Sequence, residues 1–239
     1  GNENVTITGA TNPTAAELNT IAAATTGKVT AILAPGTDIK AATVALLKDV
    51  KATDVITFKT TDTDLVGKDD LNALLAIKKL IPNADFTNIV TIDADAKDVA
   101  IVKNVLKDVA ANVAVTIDPA GQISAADANA IAKATNGIVT ATIKDGGIAA
   151  TLKALSDIDG TLDDLTFKTT DTTAKASDIV ALDALILTPA NLDLSKVKTI
   201  TGTSAETAAT KVSGRYNEAA SYFGQFVAKA IHRFQFYGS

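Results

Sequence analysis

Pairs of neighbouring carboxylates are the simplest candidates for a functional site in this chain. Two acidic side chains on one turn can bind a hard cation. Neither the EF-hand loop nor the Gly/Asp nonapeptide of calcium β-rolls is present. The pairs could therefore bind Ca²⁺ only weakly, and solvated turns and helix caps are the favoured interpretation. The pairs are Asp62 with Asp64, Asp69 with Asp70, Asp93 with Asp95, and Asp163 with Asp164.

A second candidate is the run DIDGTL, from Asp157 to Leu162. It resembles the D-x-D-G-T-L signature of haloacid-dehalogenase-type phosphatases. The resemblance implies a nucleophilic Asp157, an acid/base Asp159 and a Mg²⁺ ion that neutralises phosphate charge. In that family the motif follows a buried strand, whereas here we expect a helix before it, over residues 149–155, and a strand after it. A turn rich in Asp and Gly is therefore the stronger interpretation.

The composition excludes most other catalytic and metal sites. The chain of 239 residues has no Cys, no Met and one histidine, His232, so thiolate sites and multi-histidine zinc sites cannot form. No P-loop and no G-x-G-x-x-G segment occurs. The net charge of −5 argues against nucleic-acid binding, and no apolar run approaches the ~18 residues of a membrane span. The sequence predicts no enzyme, no catalytic residue and no cofactor.

An internal duplication organises the chain. Residues 14–31, TAAELNTIAAATTGKVTA, align without a gap with residues 124–141, SAADANAIAKATNGIVTA. The hexapeptide FKTTDT occurs at residues 58–63 and again at 167–172. We therefore expect a repeat domain over residues 1–213, with copies at about 4–112 and 113–213.

Strand and helix patterns alternate within each copy. Apolar residues at helical spacing predict helices from Leu71 to Ile81 and from Val99 to Val109. Thr14 with Glu17, and Ser124 with Asp127, resemble capping boxes. β-Branched runs predict strands at residues 5–8, 29–33, 55–59, 89–92, 113–117, 138–143, 165–168 and 197–201.

The spacing of these strands predicts the fold class. Most strand starts are about 24 to 26 residues apart, and connections of that length predict parallel pairing. We expect an α/β solenoid of about eight strand–helix units with a leucine-rich-repeat-like parallel sheet. A doubly wound α/β domain is the alternative. The threonine-rich strands favour the solenoid and a sheet with one solvated face, because doubly wound central strands are near-continuous apolar runs.

The segment from residue 214 to 239 has a different composition. It holds both arginines, Arg215 and Arg233, together with His232 and seven of the ten aromatic residues. We predict a helical segment that either caps the last repeat or contacts a neighbouring subunit. Its aromatic residues are Tyr216, Tyr222, Phe223, Phe226, Phe234, Phe236 and Tyr237.

The first predicted strand contains Val5 and Ile7 and has no visible cap before it. Such a strand leaves an edge open to pairing with another chain. An open edge at one end and an aromatic segment at the other predict head-to-tail self-association, as a homo-oligomer or, where the contacts do not close into a ring, as a filament.

The duplicated segments also carry a resemblance. Both segments, at Thr14 and Ser124, follow the pattern [ST]-A-A-[DE]-x-N-x-I-A-x-A-T-x-G-x-V-T-A. This pattern is similar to the Ala/Thr/Asp-rich repeats of large secreted bacterial and cyanobacterial surface proteins, S-layer-like or adhesin-like. The resemblance implies an extracellular scaffold without enzymatic activity. We expect a subunit of a surface layer or extracellular filament. The alternatives are an adhesin or ligand-binding solenoid that uses its exposed sheet face and, third, a Mg²⁺-dependent phosphatase.

Overall fold

A computed structural model describes residues 1–9 and 11–206 of the chain. The chain divides into two compact units, one holding residues 1–123 and 130–141, the other residues 124–129 and 142 onward. Each unit mixes helices with strands that pair in parallel. The predicted α/β class with parallel sheets is confirmed.

Helices and strands alternate along the first unit. Its strands are β1 (Val5–Thr6), β2 (Val29–Ile32), β3 (Val55–Thr57), β4 (Asp64–Val66), β5 (Thr91–Ala94), β6 (Ala114–Ile117) and β7 (Gln122–Ile123). Its helices are α1 (Ala15–Ala24), α2 (Ala41–Leu46), α3 (Gly67–Leu80) and α4 (Val99–Val105), the last preceded by a 3-10 helix at Ala96–Asp98.

Two elements contribute residues to both units, namely helix α5 (Ala125–Ala134) and strand β8 (Val139–Gly146). The remaining elements belong to the second unit. They are α6 (Ile148–Ala154), β9 (Asp164–Thr169), β10 (Thr173–Lys175), α7 (Ala176–Leu185), a 3-10 helix at Pro189–Asn191, β11 (Leu192–Asp193) and β12 (Thr199–Thr201). β11 pairs in parallel with β9, and β12 pairs in parallel with β10.

The strands of the first unit form two ladders in which neighbours follow one another along the chain. One ladder has the order β1-β2-β3, and the other has the order β4-β5-β6 with the first residues of β8 beside β6. Parallel bridges from Lys59 to Asp85 and from Phe86 to Val109 extend the first ladder. Helices α1 to α4 also pack in chain order, each against the next.

Period-two burial gives the sheet of the first unit one apolar face and one solvated face. In β2 and the residue after it, Val29, Ala31 and Leu33 are buried, while Ile32 between them is exposed. The core also contains the rings of Phe58 and Phe86, whose centroids lie 5.8 Å apart. This alternation agrees with the solvated sheet face that the threonine-rich strands predict.

Local hydrogen bonds set the helix starts that the sequence predicted. At α1, the Thr14 N–H donates to Glu17 Oε2 at 2.9 Å and the Glu17 N–H donates to Thr14 Oγ1 at 3.3 Å. At α5, the Asp127 N–H donates to Ser124 Oγ at 3.0 Å. These side chains satisfy N–H groups that the first turn of a helix leaves without partners.

One hydrogen bond recurs about 110 residues along the chain, inside the first unit. Thr25 Oγ1 donates to Glu3 O at 2.6 Å, and Thr135 Oγ1 donates to Val113 O at 2.5 Å. In both places the threonine follows a helix and binds the residue that leads into the neighbouring strand, β1 in one case and β6 in the other. The aligned segments of the sequence therefore build the same local structure.

All eight predicted strands are present, although β5 begins at Thr91 and β12 at Thr199, each two residues later than the predicted starts at Ile89 and Val197. The helices predicted from Leu71 and from Val99 are also present, as α3 and α4. The prediction missed the short strands β4, β7, β10 and β11. Each has only two or three residues, too few to produce a periodic apolar signal.

Candidate assembly site

Strand β1 lies at the edge of its sheet. The Val5 N–H donates to Lys28 O at 2.9 Å and the Ile7 N–H donates to Thr30 O at 2.8 Å, so both bonds face β2. Within residues 1–9 and 11–206, no strand pairs with the opposite side of β1. The predicted open edge is therefore present in the described part of the chain, and the side chains of Val5 and Ile7 are half-buried there.

The residues before β1 are held in place by the turn that precedes β2. The Thr26 N–H donates to Gly1 O at 2.9 Å, and the Lys28 N–H donates to Asn4 Oδ1 at 2.8 Å. Gly27 lies so close to the backbone of Glu3 that a Cβ at this position would collide with it. The edge is thus preorganised, which lowers the entropy cost of pairing with another strand.

Strand β6 has the same pairing register and the same backbone contacts as β1, but β6 lies inside a sheet. Val115 pairs with Val139 in the register in which Val5 pairs with Val29, and Gly137 approaches the backbone of Val113 as Gly27 approaches Glu3. β6 has partners on both sides, β5 and β8. Because β1 repeats this strand without a second partner, its free side has the geometry of an interior pairing position.

The solvated sheet face is the alternative surface that the sequence suggested. Ile32 is 54% exposed and Val66 is 56% exposed, although both belong to strands. Val66, Asp93, Thr116 and Thr140 form one row across β4, β5, β6 and β8. Exposed aliphatic side chains beside hydroxyl and carboxylate groups give this face mixed chemistry.

A shallow groove of about 340 Å³ lies in the first unit, where β4, β5 and β6 end. Two of its three acidic residues have local contacts, because Asp95 pairs with Lys97 at 2.6 Å and Asp118 Oδ1 accepts the Ala120 N–H at 2.8 Å. The ion pair raises the pKa of Lys97 through its hydrogen bond with Asp95. The groove's remaining lining residues are Val66, Gly67, Asp93, Ala94, Thr116 and Pro119.

The three other acidic pairs each contain a carboxylate that accepts a hydrogen bond from the protein itself. Asp62 Oδ2 accepts the Ile39 N–H at 2.6 Å, just before α2. Asp70 Oδ2 accepts from Lys40 Nζ at 2.8 Å, which raises the pKa of Lys40. Asp164 Oδ1 accepts from the side chain of Asn191 at 2.8 Å. In the part of the chain that the structure describes, no three acidic or histidine side chains come together as metal ligands could.

The DIDGTL run lies between α6 and β9, as predicted. Asp157 Oδ2 accepts from Asn129 Nδ2 at 2.7 Å, and Asp159 Oδ1 accepts from Thr161 N–H and Oγ1 at 2.8 and 2.7 Å. The Thr161 hydrogen bonds lower the pKa of Asp159. Both carboxylates thus have structural hydrogen bonds. A Cβ at Gly160 would collide with the backbone of Ala184, so the glycine has a packing role of its own.

Sequence reasoning missed the Asn–Asp pairs that join successive helix-containing segments. Asn129 contacts Asp157 in the second unit, and Asn19 Nδ2 donates to Asp49 Oδ2 at 2.9 Å in the first. The available signal was that both asparagines occupy the same position of the duplicated segment. Their aspartate partners lie about 30 residues later in the sequence. Only the packing of neighbouring segments brings each asparagine and its aspartate together.

The predicted aromatic segment lies outside the described residues, and so do the residues named with it. Those residues are Arg215, Tyr216, Tyr222, Phe223, Phe226, His232, Arg233, Phe234, Phe236 and Tyr237. Among the residues that the structure does describe, no helix has the length and apolar character needed to cross a membrane. Comparison of the chain with protein-family models, with curated proteins and with solved structures gives no match.

Proposed function

We propose that this chain is a secreted structural repeat protein, a subunit of a surface layer or extracellular filament that assembles through its ends. The observation that carries the proposal is the free side of β1. This strand repeats the interior strand β6 in register and in backbone support, yet pairs on one side only within the described residues. An open, preorganised edge of this kind favours pairing with another chain.

The order of the strands supports a solenoid with leucine-rich-repeat-like parallel pairing. A doubly wound sheet reverses its strand order at a switch point. Neither ladder of the first unit contains such a reversal, because β1-β2-β3 and β4-β5-β6 follow the chain. Helices α1 to α4 pack in the same order. Elements that contact mainly their sequence neighbours are typical of repeat proteins, and in our proposal about eight such units form the scaffold.

The proposed extracellular location rests on the Ala/Thr/Asp-rich sequence pattern of the duplicated segments at Thr14 and Ser124. This pattern is similar to repeats of secreted surface proteins. Surface scaffolds need many copies of one chain in regular contact. A heterologous contact between two different ends supplies such an array without a second protein.

Negative-stain electron microscopy of the purified full chain tests the proposed function. The expected result is linear or layered particles that lengthen as the protein concentration rises. A uniform population of single subunits at every concentration would contradict it.

A ligand-binding or adhesive role of the sheet face is the second candidate. Ile32 and Val55 are exposed on the paired strands β2 and β3, and Val66 is exposed on β4. This exposure favours the second candidate, since apolar groups at a surface can mark interaction sites. Binding of the purified protein to polysaccharide-coated surfaces would be compared with the double variant Ile32→Ser/Val66→Ser. Binding that is lost in the variant while self-association remains would favour this candidate.

The phosphatase hypothesis ranks third because the carboxylates of Asp157 and Asp159 already support backbone and side-chain contacts. An assay with p-nitrophenyl phosphate and Mg²⁺ would compare the wild-type chain with Asp157→Asn. Hydrolysis that disappears in the variant would reverse the ranking.

A further inference from the structure

Strand β12 is paired to β10 in the same way as β5 is paired to β4. The N–H groups of Lys198 and Thr199 donate to Thr172 O at 2.8 and 3.0 Å, and two consecutive N–H groups at the start of β5 donate to Thr63 O at 2.8 and 3.2 Å. β12 pairs in parallel with β10, as β5 pairs with β4. β12 is therefore the counterpart of β5, about 108 residues later.

A helix start follows each of these two strands. The 3-10 helix at Ala96–Asp98 follows β5. After β12, the Thr203 N–H donates to Glu206 Oε2 at 2.7 Å and the Glu206 N–H donates to Thr203 Oγ1 at 3.3 Å, the reciprocal contacts of a capping box. The resemblance between β5 and β12 thus extends beyond the strands themselves.

The two strands differ at their second edge. β5 pairs there with β6, in a register that places Thr91 beside Ala114 and Ile92 beside Val115. The second edge of β12 has no strand partner within the residues that the structure describes. Among the strands of residues 1–9 and 11–206, none pairs with β1, the counterpart of β6, on the side where β5 would lie. Within the described residues, β1 and β12 each have a side without a strand partner, and the β5–β6 pair shows how two such sides fit together.

We propose that β12 of one copy pairs in parallel with β1 of the next copy, in the register of the β5–β6 pair. The contact then places Ile200 beside Val5 and Thr201 beside Thr6. The bond from the Ala114 N–H to Val90 O, at 2.9 Å, has its intermolecular counterpart in a bond from the Asn4 N–H to Lys198 O. The inference rests on the proposed assembly function and identifies both surfaces of its contact.

Burial supports this pairing. Ile92 and Val115, which lie beside each other in the β5–β6 pair, are 1% and 0% exposed. Their counterparts Ile200 and Val5 are only half-buried. Docking the two edges would cover both side chains and transfer apolar area from water to protein.

The two edges have few of the features that commonly prevent strand association. Residues 4–8, NVTIT, and residues 199–203, TITGT, contain no charged side chain and no proline, and Lys198, just before β12, is the one charged residue in the proposed contact. Natural edge strands are often protected by lysine, proline or an inward-pointing charge. A contact between two different edges also leaves one free edge of each kind in the complex, so a third copy can add, and the series grows as a filament unless it closes.

Disulfide trapping tests the inference directly, because the chain contains no cysteine. Thr6→Cys and Thr201→Cys would be made in separate full-length chains, both at exposed positions, and mixed under mild oxidation. Residues opposite each other in neighbouring strands are about 4.8 Å apart, within the Cα range that a disulfide spans. Thr30→Cys mixed with Thr201→Cys is the matched control, since Thr30 lies in β2, between two strands.

We expect the mixture of Thr6→Cys and Thr201→Cys to give about tenfold more covalent heterodimer than the control mixture, because disulfide formation requires this short separation. Mass spectrometry should identify the bond between positions 6 and 201. The double variant in one chain should form a covalent ladder. Circular dichroism and thermal unfolding of each variant establish that the chains are folded.

The outcomes separate this inference from the proposed function. Self-association by light scattering without the 6–201 bond would overturn the β12–β1 pairing and leave assembly through another contact, with the edge of β12 covered by another part of the chain or a different partner. Absence of both the bond and self-association would overturn the inference and the proposed function together.

Discussion

Asn129 and Asp157 exchange two hydrogen bonds. Nδ2 of Asn129 donates to Asp157 Oδ2 at 2.7 Å, and the Asp157 N–H donates to Asn129 Oδ1 at 2.6 Å. Asn19 and Asp49 make the same two bonds, at 2.9 and 2.7 Å. Each pair ties a helix to the turn after the following helix, so it holds together segments that are distant in sequence.

Removal of the asparagine should weaken each unit. Asn19→Ala should lower the free energy of unfolding by about 1–2 kcal/mol, because the change removes two hydrogen bonds at a half-buried position. Asn129→Ala should cost less, since Asp157 is exposed. Denaturant titration measures both effects. The control Asn72→Ala, at an exposed position in α3, should leave stability unchanged or slightly raised, and a loss there equal to that of Asn19→Ala would contradict the assignment.

The close approach at Gly137 should make this glycine irreplaceable. A Cβ there would collide with the backbone of Val113, and overpacking against backbone cannot be relieved by a rotamer change. Gly137→Ala should therefore destabilise the protein by about 2–4 kcal/mol. Gly9→Ala, where a Cβ would meet no atom within 4 Å, is the control. Equal melting temperatures for the two variants would refute this reasoning.

The stability of the protein should depend on pH through the ionisation of the two capping carboxylates, Glu17 and Glu206. Hydrogen bonds from Thr14 lower the pKa of Glu17, and hydrogen bonds from Thr203 lower the pKa of Glu206. A carboxyl whose pKa is lower in the folded state binds protons more readily when unfolded. Its contribution is therefore present above the unfolded pKa of about 4.3 and is lost as the pH falls through the folded value.

NMR titration of the Glu17 side-chain carboxyl measures this shift. We expect a midpoint below the ordinary value for a glutamate, about 4.3, because the Thr14 hydrogen bonds lower the pKa of Glu17. Thr14→Ala should move the Glu17 midpoint back towards the ordinary value, because it removes the hydroxyl bond to the carboxylate. A Glu17 midpoint at or above the ordinary value in the wild-type chain would contradict the capping geometry.

Proline at position 6 should block assembly while leaving the subunit folded. The N–H groups of Val5 and Ile7 face β2, so the Thr6 N–H faces the free side of β1. Thr6→Pro removes that donor and keeps both bonds to β2. Association measured by light scattering should weaken by about tenfold or more, which corresponds to 1.4 kcal/mol. Thr6→Val retains the N–H and should assemble as the wild-type chain does; equal assembly by both variants would argue against the edge.

The sequence predicted the strands well because their signal is local. Val29–Ile32 and residues 139–143 are rich in β-branched residues and alternate buried positions with more exposed ones. A period of two is readable in a short window. The segment Asp64–Val66 gave no such signal, because three residues are too few to show a period.

The candidate site was predictable only in part. A strand at Val5 with one edge open to pairing was predicted, and among the described residues this strand pairs with β2 alone. The equivalence of β1 with β6 and of β12 with β5 depends on registers between strands that lie 20 or more residues apart in sequence, which no local pattern encodes. The double Asn–Asp contacts depend in the same way on how neighbouring segments pack.

Sedimentation velocity of the purified full chain over a concentration series tests assembly through the ends most directly. We predict a weight-average sedimentation coefficient that rises continuously with concentration, as it does when subunits add to an open chain of contacts, and that falls to the monomer value in Thr6→Pro. A single monomeric boundary for the wild-type chain at every concentration would contradict the account.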